Sequence, residues 1–473
     1  MKTRHAWRRG GALCALVAGL SLAGLTACSP DDAEGQYREG VSCAKHKDTG
    51  KAAEWFRKAA DRGHAKAQYR LGLCYLKGKG VEKDEAAAAE YFGKAAAQGY
   101  AKAQYRLALC LQEGRGVPKD EAAAAQLFLQ AAEQGNAEAQ YQTGVCLEKG
   151  IGVDMDPAAS CGWYRKAAEQ GHAGGQFAYS SCLYGGVGVE ANLEEAMEWL
   201  QKAVDQGYPD AYAGVGVCYT TGKGKPKNDE EAIKWYRKAA DAGSGMGMYF
   251  LAVGYHMGRG VGIDCLKAQE LFLKAAELGH TGAMNALANL YFSGAPGIES
   301  DMQKSAYWAR KSADAGDATG QCLLGVAYFK GLGVEKNLEE SVRLIRSSAE
   351  KGDMDAQSFL GGMYLEGTGV PRDTQEGIKW TKKAAEQGDA LAQGSLGSMY
   401  LMGNGVPRDT REGIKWLRMA VDQGLAQAQT MLGLCYMQGN GVPVDREEGA
   451  KWLRKAAAQG DSFAIMALRK YGL

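Results

Sequence analysis

Glycine recurs along this chain at a nearly constant interval, and that interval limits the fold more than any other feature. Neighbouring members of the series are 36 residues apart, except for one interval of 37 residues. A fixed period of this size indicates stacked copies of one supersecondary unit, here called repeats, because a single globular core imposes no such spacing. The series consists of Gly63, Gly99, Gly135, Gly171, Gly207, Gly243, Gly279, Gly316, Gly352, Gly388, Gly424 and Gly460.

The first half of the repeat at residues 353–388 predicts an amphipathic helix, helix A. Ala356 and Leu360 recur at helical spacing and give this helix one apolar face. Glycine and proline at residues 367–371 then interrupt the helix, because glycine accepts positive φ and proline lacks a backbone donor. Val370 is the apolar residue of this loop, and we expect it to pack between the helices.

The second half of the same repeat predicts another helix, helix B. Asp373 is placed to cap its N-terminus, and Ile378 and Trp380 contribute to its apolar face. Gly388 is expected to end it in the left-handed conformation, and Asp389 to cap helix A of the next repeat. Consecutive helices are therefore joined with almost no linker, which brings neighbours into antiparallel contact.

This pattern resembles the Sel-like repeat (SLR), a branch of the tetratricopeptide superfamily. The resemblance implies an all-α, right-handed superhelical solenoid over residues 36–473, with about twelve helix pairs. We expect a truncated first pair, with helix A at residues 36–45, and a final capping helix A at residues 462–470. The residues that carry the resemblance are Leu71-Gly72-x-x-Tyr75, Gly78-x-Gly80-Val81-x-x-Asp84 and Ala88-x-x-Tyr91-x-x-x-Ala95-Ala96-x-Gln98-Gly99.

Residues 1–27 are predicted to be a lipoprotein signal peptide. A basic start that includes Lys2 and Arg4 precedes an apolar stretch at residues 12–22. This stretch is shorter than a membrane-spanning helix needs and has the flanks of a signal peptide.

The signal ends in Leu25-Thr26-Ala27-Cys28, which resembles the bacterial lipobox. We therefore expect Cys28 to carry a lipid and residues 28–35 to form a short tether. Ser29 follows the cysteine where an aspartate would resemble an inner-membrane retention signal, which favours the outer membrane, facing the periplasm. An ordinary secretory signal with an incidental cysteine is the alternative.

Charge and motifs exclude several function classes. Lys+Arg 56 against Asp+Glu 55 gives a formal net charge of +1, which supplies no basic field for nucleic acid. The chain lacks the G-x-S-x-G, H-E-x-x-H and phosphate-binding loop patterns, so we predict neither an enzyme nor a cofactor. His64, His172 and His280 share one helix position but lie three repeats apart, too far to share a metal ion.

Stacking turns each equivalent position into a column along the solenoid, and one helix A column is the candidate partner-binding site. Its early members are aromatic, whereas its later members are small or polar, as a surface with a local role would be. The tetratricopeptide resemblance implies that this column faces a peptide groove on the concave side. Packing between repeats is the alternative. The predicted site residues are Tyr69, Tyr105, Tyr141, Phe177 and Tyr249, with Ala213 as an interruption, and the later members are Asn285, Cys322, Ser358, Gly394 and Thr430.

Two other columns are predicted to be structural. A helix B column rich in tryptophan, which includes Trp163 and Trp380, is expected to form inter-helix core. A helix A column of cysteines should contain buried free thiols, because stacked repeats separate their Cα atoms beyond the reach of a disulfide. Cys146 and Cys161 form the one pair whose pairing stays open. The column consists of Cys74, Cys110, Cys146, Cys182, Cys218 and Cys435.

The sequence thus predicts a non-enzymatic, lipid-anchored envelope scaffold that binds protein or peptide partners. The alternative is a penicillin-binding or β-lactamase-like enzyme of the kind found among cysteine-rich members of the family. Its Ser-x-x-Lys pattern occurs at Ser42–Lys45 and at Ser348–Lys351, without the companion motifs of such enzymes.

Overall fold

A computed structural model describes residues 32–473, and this part of the chain contains 25 α-helices and no β-strand. The prediction of an all-α solenoid of stacked helix pairs is confirmed, with twelve pairs and a final unpaired helix. The A helices are α1 (Ala33–Lys45), α3 (Ala65–Lys77), α5 (Ala101–Glu113), α7 (Ala137–Lys149), α9 (Ala173–Gly185), α11 (Pro209–Thr221), α13 (Gly245–Met257), α15 (Thr281–Ser293), α17 (Ala318–Lys330), α19 (Met354–Glu366), α21 (Ala390–Met402), α23 (Ala426–Gln438) and α25 (Ser462–Tyr471).

The described residues up to Trp199 form one compact unit, and Leu200–Leu473 form a second. Within each unit, consecutive helices pack directly against each other. We call them the N-terminal and C-terminal units. The B helices are α2 (Thr49–Asp61), α4 (Glu85–Ala97), α6 (Glu121–Glu133), α8 (Pro157–Glu169), α10 (Leu193–Asp205), α12 (Asp229–Asp241), α14 (Cys265–Glu277), α16 (Met302–Asp314), α18 (Leu338–Glu350), α20 (Thr374–Gln387), α22 (Thr410–Asp422) and α24 (Arg446–Ala458).

The first repeat ends its helix A at Lys45, as predicted, but differs from the prediction at the start of this helix and in the place where the repeat is shortened. The helix α1 starts at Ala33 and not at residue 36, because the Asp32 carboxylate accepts a hydrogen bond from the Gly35 N–H at 2.6 Å. Residues 33–35 are therefore helical and not part of a tether. The repeat is shortened in its loop, which is residues 46–48 here and residues 78–84 in the next repeat. Lys47 at φ 62° makes this tight connection.

The interior of the repeat at residues 353–388 agrees with the sequence pattern. Ala356 and Leu360 are fully buried, and Val370 packs in the same apolar cluster. Gly361 allows α19 and α20 to approach closely, since a Cβ there would lie 2.5 Å from the Thr381 hydroxyl. The Asp373 carboxylate caps α20, as predicted.

The tryptophan column is less buried than a core column would be. Leu344, Trp380 and Trp416 are buried, but most other members are half-buried, and lysine side chains lie over several of the rings. The Lys166 ammonium, for example, is 3.8 Å from the Trp163 ring centroid. The deepest helix B column is one residue further along the chain and includes Phe56, Phe92, Phe128, Tyr164, Tyr236, Phe272, Ile345, Leu417 and Leu453.

Each joint, where a B helix ends and the next A helix begins, has a positive-φ glycine, and most joints also have a side chain that caps the A helix; Tyr100 and Leu425 make no such cap bond. Gly388 has φ 107°, and the Asp389 carboxylate accepts a hydrogen bond from the Ala392 N–H. All twelve glycines of the series have positive φ, a backbone conformation that other residues adopt only with strain. The short joints predicted from the sequence are thus confirmed.

Pairs of glutamines also bridge the joints, and the sequence pattern did not reveal them. The Gln393 Nε2 donates to the Ala385 carbonyl of the preceding B helix at 3.1 Å. The Gln393 Oε1 accepts from Gln423 Nε2 at 2.9 Å, at the end of the following B helix. Because Gln393 is almost fully buried, both bonds are needed to satisfy its amide. The same side-chain pair occurs at Gln68–Gln98, Gln104–Gln134, Gln140–Gln170, Gln357–Gln387 and Gln429–Gln459.

Both glutamines of the pair are replaced together in the three repeats at residues 209–317. The A helix positions there hold Tyr212, Met248 and Met284, and the corresponding B helix ends hold Ala242, Leu278 and Ala315. A large apolar cluster fills this part of the C-terminal unit, including Leu251, Phe272 and Leu287. Joint replacement avoids leaving one buried amide without its partner. In the repeat at residues 318–353, where Lys351 replaces only the second glutamine, the Gln321 Oε1 accepts a hydrogen bond from the Ser347 hydroxyl instead.

The 37-residue interval comes from one enlarged loop, as the sequence indicates. In residues 294–301, Ala295 and Ile298 exchange two backbone hydrogen bonds of 2.9 and 2.8 Å. Ile298 is buried and belongs to the neighbouring apolar cluster. The additional residue is therefore absorbed locally, and the helices on either side keep the length of 13 residues.

The second glycine of the loop inside each repeat should be more important for stacking than the joint glycine. Gly116 has φ 70°, and a Cβ there would lie 2.1 Å from the Glu85 carbonyl of α4, whereas Gly135 has φ 87° and open space around it. We expect Gly135→Ala to lower the free energy of unfolding by about 1 kcal/mol through backbone strain alone. Gly116→Ala should cost roughly 3 kcal/mol or more, because α4 must also move away. Urea unfolding of both variants measures this difference, and equal losses would contradict it.

Candidate functional site

The candidate column occupies the joints between repeats. The Tyr249 ring packs against Phe272 of its own repeat, with ring centroids 5.9 Å apart. It also stacks on His280, the N-cap of the next A helix, with centroids 4.7 Å apart. Tyr249 is half-buried as a result, and burial raises the pKa of its phenol. The column residue therefore joins three successive helices.

The same arrangement occurs at other aromatic members of the column. Tyr69 packs on Phe92 at 5.9 Å and meets the ring of Tyr100 edge-on at 5.4 Å. Tyr141 packs against His172 with centroids 5.0 Å apart. We call each such couple, a column residue and the N-cap residue of the next A helix, a joint pair.

Later repeats replace the aromatic joint pair with a polar one. Asn285 Nδ2 donates to the Asp317 carboxylate at 2.8 Å. Ser358 and Thr430 hydroxyls donate to the capping carboxylates of the next A helix at 2.9 and 3.0 Å; their acceptors are Asp389 and Asp461. Apart from Tyr105, whose next cap is Asn136, the change from aromatic to small column residues accompanies a change of cap, and does not by itself require a ligand.

The structure places the five predicted site residues one to each A helix and does not bring them into one cluster. Tyr69, Tyr105, Tyr141 and Tyr249 belong to separate apolar clusters, and Phe177 is half-buried on α9. Each side chain keeps an exposed part, so none is excluded from contact with a partner. The sequence analysis missed Tyr37, which stacks on His64 at 4.8 Å, because the short first loop shifts it from the regular interval.

The three histidines at equivalent positions are helix caps. The Nδ1 atoms of His64, His172 and His280 accept hydrogen bonds from backbone N–H groups at 3.1, 2.9 and 3.2 Å. An imidazole accepts at Nδ1 only when that nitrogen carries no proton. Histidine is not among the preferred N-cap residues, so only its position directly after the glycine could have revealed this role.

All ten cysteines of the described residues have free thiols. Burial raises the pKa of Cys146 to about 11 and that of Cys182 to about 12, so these thiols stay protonated near neutral pH. Cys146 and Cys161 lie in different apolar clusters. Cys161 instead shares its apolar cluster with Cys182, which lies in the next repeat.

Neither Ser-x-x-Lys pattern resembles a catalytic site. Ser348 is fully buried, and its hydroxyl donates to the Ala318 carbonyl at 2.7 Å. Lys351 donates to the Gly316 carbonyl at 2.7 Å and not to Ser348. Ser42 and Lys45 are exposed on the surface of α1. No observation favours the penicillin-binding alternative.

Residues 32–473 contain no group of three or more His, Cys, Asp or Glu side chains that could hold a metal ion. No helix in this range is long and apolar enough to cross a membrane. Cys28 and the predicted signal peptide lie outside the described residues.

The repeats match a known family over nearly the whole described chain. Twelve consecutive segments match the Sel1 repeat, at residues 35–64, 65–100, 101–136, 137–172, 173–208, 209–244, 245–280, 281–317, 318–353, 355–389, 390–425 and 426–461. The comparison with curated proteins found no match.

Solved structures with Sel1-type repeats are similar to this chain. A protective antigen of uropathogenic Escherichia coli strains with an SLR fold is 36% identical, with a TM-score of 0.52, over 89% of this chain and 91% of that one. A Sel1 repeat protein from Oxalobacter formigenes is 31% identical, with a TM-score of 0.46, over 65% of this chain and 89% of that one.

The histidine cap at His172 predicts a pH-dependent stability. Burial lowers the pKa of His172, although the nearby Glu138 carboxylate opposes this shift. The unfolded chain then binds the proton more readily, so the free energy of unfolding should fall as the pH drops through about 6.5.

His172→Asn keeps a capping side chain that does not titrate near neutral pH. We expect the melting temperature of this variant to fall less than that of the native chain between about pH 7.5 and about pH 5.5. His256→Asn, at an exposed position of α13, controls for the loss of one histidine. Parallel pH profiles for the native chain and His172→Asn would contradict the prediction.

Proposed function

Because the chain belongs to the Sel1 repeat family, we propose that it is a non-enzymatic scaffold that binds segments of other proteins on the layer formed by its A helices. Sel1 repeat proteins generally mediate protein–protein interaction, and nothing in the described residues points to an enzyme. The proposal assigns this chain a particular face for that interaction.

Contact between A helices of successive repeats is the observation that carries the choice of face. In the C-terminal unit, A helices touch directly at α11–α13, α15–α17, α17–α19, α21–α23 and α23–α25. These contacts form three runs of A helices, α11–α13, α15–α19 and α21–α25, and equivalent side chains follow one another along each run. A long segment of a partner can contact several repeats of such a layer at once.

The exposed parts of Tyr69, Tyr105, Tyr141, Phe177 and Tyr249 would contribute the aromatic contacts of this layer. Tyrosine combines a large contact area with few rotatable bonds, which suits a binding surface. The exposed side chains Lys66, Lys102 and Glu138 stand on the same helices and would form a polar rim.

We further propose that the scaffold is anchored in the bacterial envelope through a lipid on Cys28, at the outer membrane and facing the periplasm. The support is the sequence of residues 1–29: a basic start, a short apolar stretch and the lipobox-like residues 25–28. Several acyl chains on one residue would hold the protein firmly, at about 0.8 kcal/mol per buried CH₂. A Cys28→Ala variant that stays in the membrane fraction would contradict this anchor.

Photo-crosslinking in cells tests the choice of face without disturbing the packing of the column. Alanine at Tyr69 or Tyr141 would also remove packing at a joint, so loss of binding by such variants is ambiguous. A crosslinking amino acid replaces instead the exposed Lys66, Lys102 or Glu138 on A helices. We expect covalent adducts of the same defined masses from these three positions.

Matched positions on B helices provide the control. The control positions are exposed residues on the B helices of the same three repeats: Glu90, Gln126 and Gly162. The crosslinking amino acid should give few adducts or none there. Equal adducts from both helix layers, or adducts only from the B helices, would refute the proposed binding face.

A further inference from the structure

A groove opens on the A layer of the C-terminal unit between α21 and α23. Its volume is about 240 Å³. Leu391 at its edge is 60% exposed, which is unusual for a leucine in a packed helix pair. The residues that shape the groove are Leu391, Gly394, Ser395, Leu425, Gln427 and Met431.

The groove exists because its joint pair lacks the usual side chains. Gly394 occupies the column position that holds Tyr249 in an earlier repeat. Its partner at the joint is Leu425, and a Cβ on Gly394 would lie 3.0 Å from Leu425 Cδ2. Leu425 therefore lies against the buried Gly394, and the groove opens beside Leu425, where this joint has no aromatic side chain to fill it.

Leu425 also leaves α23 without a side-chain cap at its N-terminus. The N-caps Asp389 and Asp461 of the preceding and following A helices bond the backbone with their carboxylates, whereas Leu425 makes no side-chain cap bond. A leucine in place of a capping residue is unfavourable for the helix. Here its apolar side chain lines the groove, which is a role that aspartate could not fill.

Charge identifies the kind of partner. The helices α19, α21 and α23 contain no lysine or arginine, whereas Asp353, Asp355 and Asp389 lie at the N-terminal ends of α19 and α21. The three carboxylates are close enough to interact. Partial burial, together with the carboxylates of Asp353 and Asp389, raises the pKa of Asp355. A cationic group near this end of the A layer would relieve that repulsion.

We propose that this groove binds a basic peptide segment of a partner protein by taking up one bulky apolar side chain. The apolar side chain occupies the space beside Gly394 and contacts Leu391, Leu425 and Met431. Lysine or arginine residues on the α19 side of it approach the carboxylates at the N-terminal ends of α19 and α21. This proposal rests on the scaffold function proposed above and specifies the chemistry of one partner.

Synthetic peptides test the proposal on the purified full chain. The probe is fluorescein-labelled KKSASFSASKK, and its binding is followed by fluorescence polarisation. We expect the same peptide with a central alanine to bind about tenfold more weakly, since it loses the buried aromatic ring. A version with glutamate in place of all lysines should not bind, and added salt should weaken the original peptide.

Two substitutions remove the groove in opposite ways. Gly394→Tyr fills it with the side chain that the column holds at Tyr249, and should weaken the peptide about tenfold. Leu425→Asp removes the apolar wall and introduces a helix cap, so we expect the same loss of binding at an unchanged or higher melting temperature. Gly162→Tyr is the matched control, because it adds the same side chain in open space on α8.

Unchanged peptide binding by a folded Gly394→Tyr or Leu425→Asp variant would overturn the proposal. Equal binding of the phenylalanine and alanine peptides would overturn it as well. Self-association of the native chain that Gly394→Tyr abolishes, without peptide binding, would assign the groove to a second copy instead. None of these outcomes affects the crosslinks from α3, α5 and α7, so failure here is distinct from failure of the scaffold function.

Discussion

The structure depends on the contact where each B helix ends and the next A helix begins. Two or three residues make this turn, and a positive-φ glycine lets them do so without strain. A capping side chain then satisfies the first backbone donors of the new helix, as Asp389 does for α21. Paired glutamines such as Gln393 and Gln423 connect the same helices through buried amides. Each repeat is stabilised by packing against its neighbours. The residues at this contact can nevertheless differ from one repeat to the next.

Three kinds of joint pair occur at this contact. Aromatic joint pairs such as Tyr249 with His280 fill the joint with their own rings. Polar pairs such as Ser358 with Asp389 close it with a hydrogen bond. At Gly394 the joint is closed by Leu425, which forms one wall of a groove and makes no helix-cap bond. The joints thus differ in chemistry from repeat to repeat on one helix layer without any change in the helices themselves.

The sequence predicts the helices well because the same pattern of glycines, caps and apolar residues recurs in twelve repeats. The period, the glycines and caps such as Asp373 place helix pairs that the structure confirms. The start of α1 at Ala33 was missed because its cap, Asp32, precedes the regular pattern. The Gln393–Gln423 pair was missed because a polar residue on a helix is ordinarily read as exposed.

The candidate site was harder to predict than the fold. The column residue is aromatic at Tyr249 and small at Ser358. When only the sequence of each helix is considered, this difference suggests a binding surface. The column residue contacts a residue about 31 positions away, the cap of the following helix, and only the stacked structure brings the two together. The groove at Gly394 was invisible for the same reason, since a glycine in a column of mixed residues carries no signal of an open space.

A double-mutant cycle at Tyr249 and His280 tests the central claim, that column residue and cap are energetically one pair. Tyr249→Leu removes the ring, His280→Asn keeps a cap without the ring, and the double variant removes both. If the claim holds, urea unfolding gives a coupling free energy of about 0.5–1.5 kcal/mol, beyond the sum of the single changes. Additive effects within about 0.3 kcal/mol would show that the two residues act independently and would contradict the account.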